Sequence, residues 1–394
     1  MSWTVRPLTD AELPAGWELG RLAFGGAPEA PAWALRSVPG VVRLGAFDEH
    51  GRLAGKITDL PHEHWWGGRR VAAAGVTGVA VRPESRGGGL ARELLGAVLR
   101  QARERGAAVS SLHPTVSAVY RAAGWEVAGT MGAVDLDTAS LPRFPDPGQV
   151  RLRPGGPADL PAVTDLYEQV ARLHDGLLTR RGGLFDEPTD EPLPRGVDAV
   201  TLAELDGELT GAALFGRGRG YGPDARLDVT TLLARDAATA RALVGVLAGW
   251  RTVTRTVRVP LLPGDPFSAV LPLERSTDRS GAVWMHRPVD VVRAVSARGW
   301  PAHVRGRVVF GLTDALAPWN TGVWELVVED GAGSLTPSAR EPDLTLDVRG
   351  FAVLYCGVST GRAAAAAGLA GGTGDPAALD LLASGPAAQL LDWF

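Results

Sequence analysis

The chain has 394 residues, more than a single ordinary hydrophobic core holds, and its formal net charge of −4 excludes the basic surface that nucleic-acid binding requires. No apolar run approaches the roughly 20 residues of a membrane span, and the first residues lack the basic start and apolar core of a secretory signal. The single cysteine, Cys356, excludes an intrachain disulfide framework and a cysteine zinc site, so we expect a cytoplasmic protein of two or three domains, without a metal, a nucleic-acid partner or a membrane partner.

The first half of the chain partly repeats itself at an offset of about 150 residues. The segment RPLTDAELPA (6–15) aligns with RPGGPADLPA (153–162). LGAFDEHGRLAG (44–55) and LAELDGELTG (202–211) both read as strand, polar turn and strand. A strand and helix at 76–105 match 227–250. Because the offset is too long for a solenoid unit, the three matches in one order predict two copies of an α/β domain.

Three consecutive glycines separate a strand from a helix in the first copy. Val76–Val81 is apolar and predicts a strand, and the apolar spacing from Leu90 predicts a helix that Gly106 closes. A helix start presents unpaired N–H groups, and Gly87–Gly89 let an anion approach them without a Cβ in the way. The loop lacks the Walker ending and the dinucleotide spacing. It therefore predicts a phosphate site of another type, or a glycine-rich turn with no ligand.

The order Arg-x-x-Gly-x-Ala after the strand GVAV resembles the acetyl-CoA pyrophosphate loop of the GCN5-related N-acetyltransferases (GNAT). The resemblance implies that the backbone of the strand pairs with the acetyl carbonyl and pantetheine of acetyl-CoA, and that the loop holds the pyrophosphate. The cofactor residues implied are Val79, Ala80, Val81, Arg86, Gly87, Gly88, Gly89, Leu90, Ala91, Arg92, Thr115 and Val116.

A tyrosine follows in SSLHPTVSAVYRAAGWEVAG. Ala108–Leu112 predicts a strand, and Ser117 is expected to cap a short helix that carries Tyr120 and ends at Gly124. The pattern Tyr-x-x-x-Gly-Trp resembles the segment of the same superfamily in which a tyrosine faces the sulfur of CoA. A phenol that titrates near ~10 can protonate a departing thiolate near ~8.5. The alternative is a core tyrosine without a catalytic role.

The composition divides the chain into three domains. ASLPRFPDPGQV (139–150) predicts a linker, and a second boundary is expected near MHRPVD (285–290). Beyond it, one helix, VDVVRAVSARGW, precedes several antiparallel strands and more helix. We therefore expect domains 1–147, 148–286 and 287–394, with two α/β domains followed by an α+β domain.

The whole layout is similar to the enhanced intracellular survival (Eis) family: tandem GNAT (acyl-CoA N-acyltransferase) domains followed by a sterol-carrier-protein-like domain. The resemblance implies N-acetyl transfer from acetyl-CoA to a small-molecule amine of the aminoglycoside type, and a homohexamer. It also implies that the α-carboxylate of the last residue, Phe394, is the base. The ending LLDWF resembles an apolar helix, whose burial would raise a carboxyl pKa from ~3.5. The second copy has no glycine at the loop, so we expect it to bind no CoA.

Other candidates keep two interpretations. Phe24 and Trp33 line the acceptor pocket or belong to the core, and Trp65 and Trp66 are expected in an exposed loop that lines a cleft or a subunit interface. His113 is a minor candidate for a general base. Two rival functions remain: a protein or peptide lysine acetyltransferase, and a non-enzymatic carrier of a hydrophobic ligand.

Overall fold

A computed structural model describes residues 3–144, 148–182, 185, 192–221, 225–279 and 281–394; of Trp33 it describes the backbone only. Within the predicted linker, residues 145–147 lie outside the described residues. None of the described helices is long and apolar enough to cross a bilayer.

The first part of the chain alternates strands and helices around an antiparallel hairpin. Its elements are β1 (Thr4–Pro7), α1 (Leu13–Phe24), β2 (Val42–Phe47), β3 (Leu53–Trp66), β4 (Arg69–Val81), α2 (Leu90–Glu104), β5 (Val109–Leu112), α3 (Ser117–Arg121) and β6 (Glu126–Thr130).

The elements of the second part are β7 (Ala133–Asp137), β8 (Arg151–Gly155), α4 (Leu160–Ala171), β9 (Ala199–Leu205), β10 (Glu208–Arg217), β11 (Arg226–Ala234), α5 (Ala237–Ala248), β12 (Thr256–Pro260), β13 (Thr277–Asp278) and β14 (Val283–Pro288). The elements from β8 to β12 repeat the order of those from β1 to β5.

The third part places one sheet beside short helices. Its elements are α6 (Val291–Ala297), β15 (Gly306–Thr313), β16 (Gly322–Glu329), β17 (Ala332–Pro337), β18 (Leu344–Asp347), α7 (Val348–Tyr355), α8 (Gly361–Ala366) and β19 (Ala370–Gly372).

The first two sheets exchange strands across the predicted boundaries. The strand order is β1-β2-β3-β4-β5-β14-β6 in the first sheet and β13-β7-β12-β11-β10-β9-β8 in the second. β14 lies between β5 and β6 because Met285 pairs with both Leu112 and Val127. β7 pairs with β12 of the second sheet. The boundaries expected after residues 147 and 286 therefore do not coincide with the edges of the sheets.

The predicted repeat is visible in local contacts. In the first copy, Arg6 forms an ion pair with Glu12 (2.6 Å), which also accepts from the Thr9 N–H. In the second copy, Arg153 pairs with Asp159 (2.9 Å), which accepts from the Gly156 N–H. Both acids lie in the last position of a 3-10 helix that leads into α1 or α4. The same arginine and acid thus begin the first helix of each copy.

Helix α2 packs its apolar face on the first sheet, as the spacing predicts. Its leucines, Val98 and Ala102 are at most 1% exposed and lie in one cluster with residues of β3 and β4. Gly106, with φ of 93°, ends the helix in the left-handed conformation. This packing fixes the direction in which the first turn of α2 presents its N–H groups.

Candidate active site

The first turn of α2 begins at an uncapped, glycine-led N-terminus. Gly87 and Gly89 have φ values of 81° and 80°, which a glycine adopts without strain. Gly89 is the N-cap, and no side chain in the described ranges accepts a hydrogen bond from the turn. A Cβ added at Gly87 or Gly89 would meet no atom within 4 Å, and one at Gly88 would meet only Ser85 O, at 4.0 Å. The N–H groups therefore face open space, as an anion site requires.

Strand β4 leaves β5 beside this loop. The two strands pair in parallel only from Ala73 to Gly75, whereas β4 continues to Val81. Among the described residues, no strand pairs with that edge of β4 beyond Gly75. The edge thus leaves backbone groups around Val79–Val81 available to an extended ligand.

A β-bulge lies in the same stretch of β4. Thr77 pairs with Thr58 and Ala80 with Lys56, so two residues of β4 lie opposite Ile57. Gly78 takes φ of 61° in this bulge. The bulge turns the backbone of residues 78 and 79 at the point where β4 leaves its neighbour.

The arginines of the loop have partners within the protein. Arg86 Nε donates to Val81 O (3.2 Å). Arg92 Nη1 donates to Ala122 O (2.8 Å). The guanidinium of Arg92 thus ties the first turn of α2 to the end of α3, and its backbone N–H remains the part that can face the loop.

Tyr120 lies on α3, two residues before the Ala122 carbonyl that accepts from Arg92. Its side chain is 8% exposed, in the cluster that includes Leu90 and Leu94, and burial raises the pKa of its phenol. No hydrogen bond to the hydroxyl is found in the described part of the chain. The expectation that Ser117 caps α3 is wrong: Val116 is the N-cap and makes no side-chain hydrogen bond, so Ser117 is the first helical residue.

A cavity of about 500 Å³ lies between α1 and the first sheet. Phe394 and Trp393 line it together with the bulge residue Gly78 and with Thr77. The described lining residues are Leu8, Leu13, Gly16, Trp17, Ala34, Val38, Val41, Arg43, Lys56, Thr58, Leu60, Thr77, Gly78, Phe185, Trp393 and Phe394. The cavity therefore brings the last residue of the sequence to the strand edge that precedes the glycine loop.

Two histidine rings contact the half-buried Phe394. Its ring centroid lies 4.5 Å from that of His62 and 5.0 Å from that of His113. Burial lowers the pKa of His62 to about 3 and also lowers that of His113. Both rings are therefore neutral at neutral pH, and the terminal residue lies against uncharged imidazoles.

The residues before Phe394 are anchored to the second copy. Arg180 Nε donates to Asp392 (2.9 Å), and the Tyr167 hydroxyl donates to Leu178 O (2.8 Å) and to Asp392 (3.3 Å). His113 Nε2 lies 3.2 Å from Asp392 O. The expected apolar helix at LLDWF is wrong, because residues 385–394 form no regular element and side-chain contacts hold them instead.

Trp65 and Trp66 are not in an exposed loop, and that expectation is wrong. Both end β3, with 8% and 0% of their surface exposed, and neither is among the described residues that line the cavity. Residues 176–179 cover this end of β3: Trp65 N–H donates to Leu177 O (2.8 Å) and Gly176 N–H donates to Trp65 O (2.7 Å). Segment 176–179 thus pairs with the backbone of Trp65, whereas the Trp66 ring packs against His286 and Tyr355.

Phe24, Thr115 and Val116 lie outside the core. Phe24 is 53% exposed at the end of α1 and is absent from the described lining, so its core interpretation is wrong. Trp33 lies in a 3-10 helix beside the lining residue Ala34, but its side chain lies outside the described residues. Thr115 and Val116 are exposed between β5 and α3.

The equivalent helix of the second copy has a closed N-terminus. Asp236 is the N-cap of α5, and its carboxylate accepts from the Thr239 N–H (2.8 Å) and hydroxyl (3.0 Å). A carboxylate already occupies the position where an anion would bind. This geometry supports the expectation that the second copy binds no CoA.

Three features of the site were not predicted from the sequence. They are the bulge at Gly78, the cation Lys56 and the anchor formed by Arg180 with Asp392. An isolated glycine inside a strand signals a bulge, and Lys56 is the only lysine of the chain. The anchor had no sequence signal, because its partners lie 212 positions apart.

Comparison with known proteins matches each part of the chain to a family. Residues 4–128 and 176–294 match acetyltransferase (GNAT) domains, and residues 291–390 match the sterol carrier protein domain. The predicted fold class is confirmed by these matches together with the observed sheets.

Curated relatives and a solved structure match most of the length of this chain. An N-acetyltransferase of Streptomyces coelicolor is 30% identical over 364 residues, which cover 85% of each chain. The N-acetyltransferase Eis of Mycobacterium tuberculosis is 27% identical over 75% of this chain and 74% of its own. A GCN5-related N-acetyltransferase from Kribbella flavida superposes with a TM-score of 0.84 at 28% identity, covering 100% of this chain and 98% of its own.

Proposed function

We propose that this chain, which belongs to the Eis-like family of GNAT N-acetyltransferases, moves the acetyl group of acetyl-CoA to a primary amine bound in the α1 cavity. The observation that carries the proposal is the open N-terminus of α2 next to the free edge of β4. The chain is an acetyltransferase, and the roles of individual residues below are our proposal.

The described residues fit acetyl-CoA at this position. The N–H groups of residues 87–92 face space that a pyrophosphate can fill, and the positive end of the α2 dipole favours its charge. Val79 and Val81 offer backbone groups to the pantetheine, and Ala80 lies between them at the free strand edge. Thr115 and Val116 lie exposed before α3, on the far side of the separation between β4 and β5.

The chemistry needs a base for the amine and an acid for the thiolate. We assign the base to the α-carboxylate of Phe394, because this residue lines the acceptor cavity between two neutral imidazoles. We assign the acid to Tyr120, whose raised pKa keeps the phenol protonated at neutral pH. The amine attacks the thioester, the carboxylate takes its proton, a backbone N–H near Val79 stabilises the oxyanion, and Tyr120 protonates the leaving sulfur.

The class of acceptor is proposed from the family resemblance and from the charges in the cavity. The resemblance implies an aminoglycoside-type polyamine, but such a polycation would meet Arg43 and Lys56 in the cavity. We therefore propose a primary amine, with aminoglycosides as one arm of the test. Release of CoA thiol from acetyl-CoA would be followed with a thiol reagent across aminoglycosides, simple amines and lysine peptides. Release with small amines supports the proposal; release with peptides alone favours a protein acetyltransferase, and no release with any of them rejects the activity.

The base is tested by moving the terminal carboxylate. Adding one glycine after Phe394 shifts the carboxylate by one residue while leaving both aromatic side chains in place. We expect kcat to fall about 1,000-fold, as for loss of an essential base, with the thermal midpoint unchanged. Intact mass must first show that the purified protein ends at Phe394. Full activity of the extended chain would remove the assignment.

Tyr120→Phe tests the acid. Without the phenol proton, the thiolate leaves unprotonated, so we expect kcat to fall about 100-fold with an unchanged KM for acetyl-CoA. A normal kcat would return Tyr120 to a purely structural role.

We also propose a homo-oligomer, a hexamer, on the basis of the family resemblance. Light scattering coupled to size-exclusion chromatography measures its mass directly, and a monomer would reject this part of the proposal.

A further inference from the structure

Two cationic side chains line the acceptor cavity, and the one anion proposed there is the α-carboxylate of Phe394. Arg43 lies on β2 and Lys56 on β3, and both line the cavity. No aspartate or glutamate is among its described lining residues, most of which are apolar or aromatic. The cavity therefore offers positive charge to a ligand whose body is apolar.

Lys56 is a half-buried ammonium without a partner in the described part of the chain. Neither a carboxylate side chain nor the carboxylate of Phe394 forms an ion pair with it there, and no hydrogen bond to it is found. Burial, and to a smaller extent the charge of Arg43, lower its pKa to about 8. An unpaired, partly desolvated cation costs folding free energy. It keeps its charge at neutral pH, where a bound anion would compensate it.

Neighbouring residues leave room for this side chain. A Cβ added at Gly20 of α1 would lie 2.8 Å from Lys56 Nζ, so the glycine lets the ammonium lie under the helix. Lys56 is also the cross-strand partner of Ala80, beside the bulge where the acetyl group is proposed to lie. The ammonium is thus one strand away from the reacting edge. Arg43, whose Nη1 donates to Arg36 O (2.9 Å), adds its charge nearby.

We propose that Lys56, assisted by Arg43, binds an anionic oxygen group of the acceptor, so that the acceptor is an amine with an apolar body and a carboxylate or phosphate. This inference deepens the proposed function, because it assumes that the cavity is the acceptor site. The apolar and aromatic wall binds the body, the two cations fix the acidic end, and the amine is left to face the β4 edge.

Binding is tested without turnover. Calorimetry would compare 3-phenylpropanoate, phenylphosphonate and the neutral 3-phenylpropanamide on the full chain, on Lys56→Met and on Arg52→Met. Arg52 is the control: its side chain is 74% exposed in the β2–β3 turn, where it pairs with Asp48. We expect the native chain and the control to prefer at least one of the two anions about tenfold, and Lys56→Met to lose the preference. Equal binding of both anions and the amide by the native chain, or a preference that Lys56→Met retains, overturns the inference.

Turnover gives the second readout. The matched acceptors 4-(aminomethyl)benzoate and 4-(aminomethyl)benzamide differ only in the charge of one group. We expect KM for the benzoate to be about tenfold lower, and the difference to vanish in Lys56→Met. Anion binding that depends on Lys56, without acetylation of any amine, would reject the proposed function and keep the anion site. Acetylation without preference for the acid would reject the anion site and keep the function.

A polycationic acceptor tests the opposite charge preference. If kanamycin is acetylated with a lower KM than the benzoate by the native chain, the inference is overturned.

Discussion

The two GNAT copies differ most at one helix N-terminus. In the first copy, α2 begins after three glycines with no side-chain cap and open space before its N–H groups. In the second copy, the Asp236 carboxylate caps α5. In both copies a strand leads into a helix, but the positive end of the α2 dipole faces open space, whereas that of α5 faces the Asp236 carboxylate. A single side chain therefore separates a candidate nucleotide site from a structural helix end.

The second copy contributes to the site in another way. It supplies Arg180 and Tyr167, which hold Asp392 and thereby the terminal Phe394 in a cavity of the first copy. The two copies thus differ in what they present: the first has the helix without a side-chain cap, and the second holds Asp392 and the residue after it.

Gly88→Asp places the acid of the second copy in the loop of the first and should have the largest effect among the variants that compare the two copies. The carboxylate repels a pyrophosphate, so we expect the KM for acetyl-CoA to rise about 100-fold, or about 2.7 kcal/mol, with kcat nearly unchanged. The fold should tolerate it, because Gly88 does not have a positive φ and a Cβ there meets only Ser85 O, at 4.0 Å.

Its control is Gly249→Asp, at an exposed glycine after α5 where a Cβ meets nothing within 4 Å. The same charge is added there, far from the loop, and should leave KM unchanged. Equal KM values for the two variants would contradict the loop assignment.

Arg180→Met tests how the terminal residue is positioned and leaves the glycine loop unchanged. It leaves the Asp392 carboxylate, 12% exposed, without its cation, so the terminal residue loses its fixed position. We expect kcat to fall about tenfold while the KM for acetyl-CoA is kept. The neighbouring Arg181→Met, which breaks a surface pair with Asp165, should change neither. A rise in the KM for acetyl-CoA without a fall in kcat would show that Arg180 does not act through the chain end.

Lys56→Met should raise the thermal midpoint at neutral pH by a few degrees. The pKa of Lys56 is lowered to about 8 in the folded chain from 10.5. Between these values the unfolded state binds the extra proton, so the stability of the native chain rises with pH. The difference in thermal midpoint between Lys56→Met and the native chain is therefore largest below pH 8 and disappears toward pH 10.5. Thermal melts of both proteins from pH 6 to 10.5 measure it, and an advantage independent of pH would count against an unpaired ammonium.

Asp236→Ala should have the smallest effect on the reaction. Loss of this cap costs about 1 kcal/mol of stability, seen as a lower midpoint in denaturant, while kcat and the KM for acetyl-CoA stay as they are. Asp165→Ala, at an exposed acid, provides the comparison for stability. A changed KM would mean that the second helix also takes part in cosubstrate binding.

Local patterns predicted the elements that local chemistry determines. The glycine loop, the apolar face of α2 and the matched starts of α1 and α4 follow from residues close in sequence. The exchange of strands between the first two sheets could not be predicted in this way. The residues of β14 favour a strand whichever sheet it joins.

Tertiary contacts explain the wrong predictions at the site. Trp65 and Trp66 resemble a surface loop in HEHWW, but residues 176–179 pair with the backbone of Trp65, and the Trp66 ring packs against His286 and Tyr355. The LLDWF ending has helical spacing, but Arg180 and Tyr167 hold it as an irregular segment. In both cases a partner more than 100 positions away decided the outcome.

The central claim is that the N–H groups around Gly88 bind the diphosphate of acetyl-CoA. A crystal structure of the full chain soaked with CoA tests it most directly. We expect diphosphate oxygens within hydrogen-bond distance of N–H groups of residues 87–92, with nothing bound at the start of α5. Diphosphate density at α5, or anywhere else with the glycine loop empty, would contradict it.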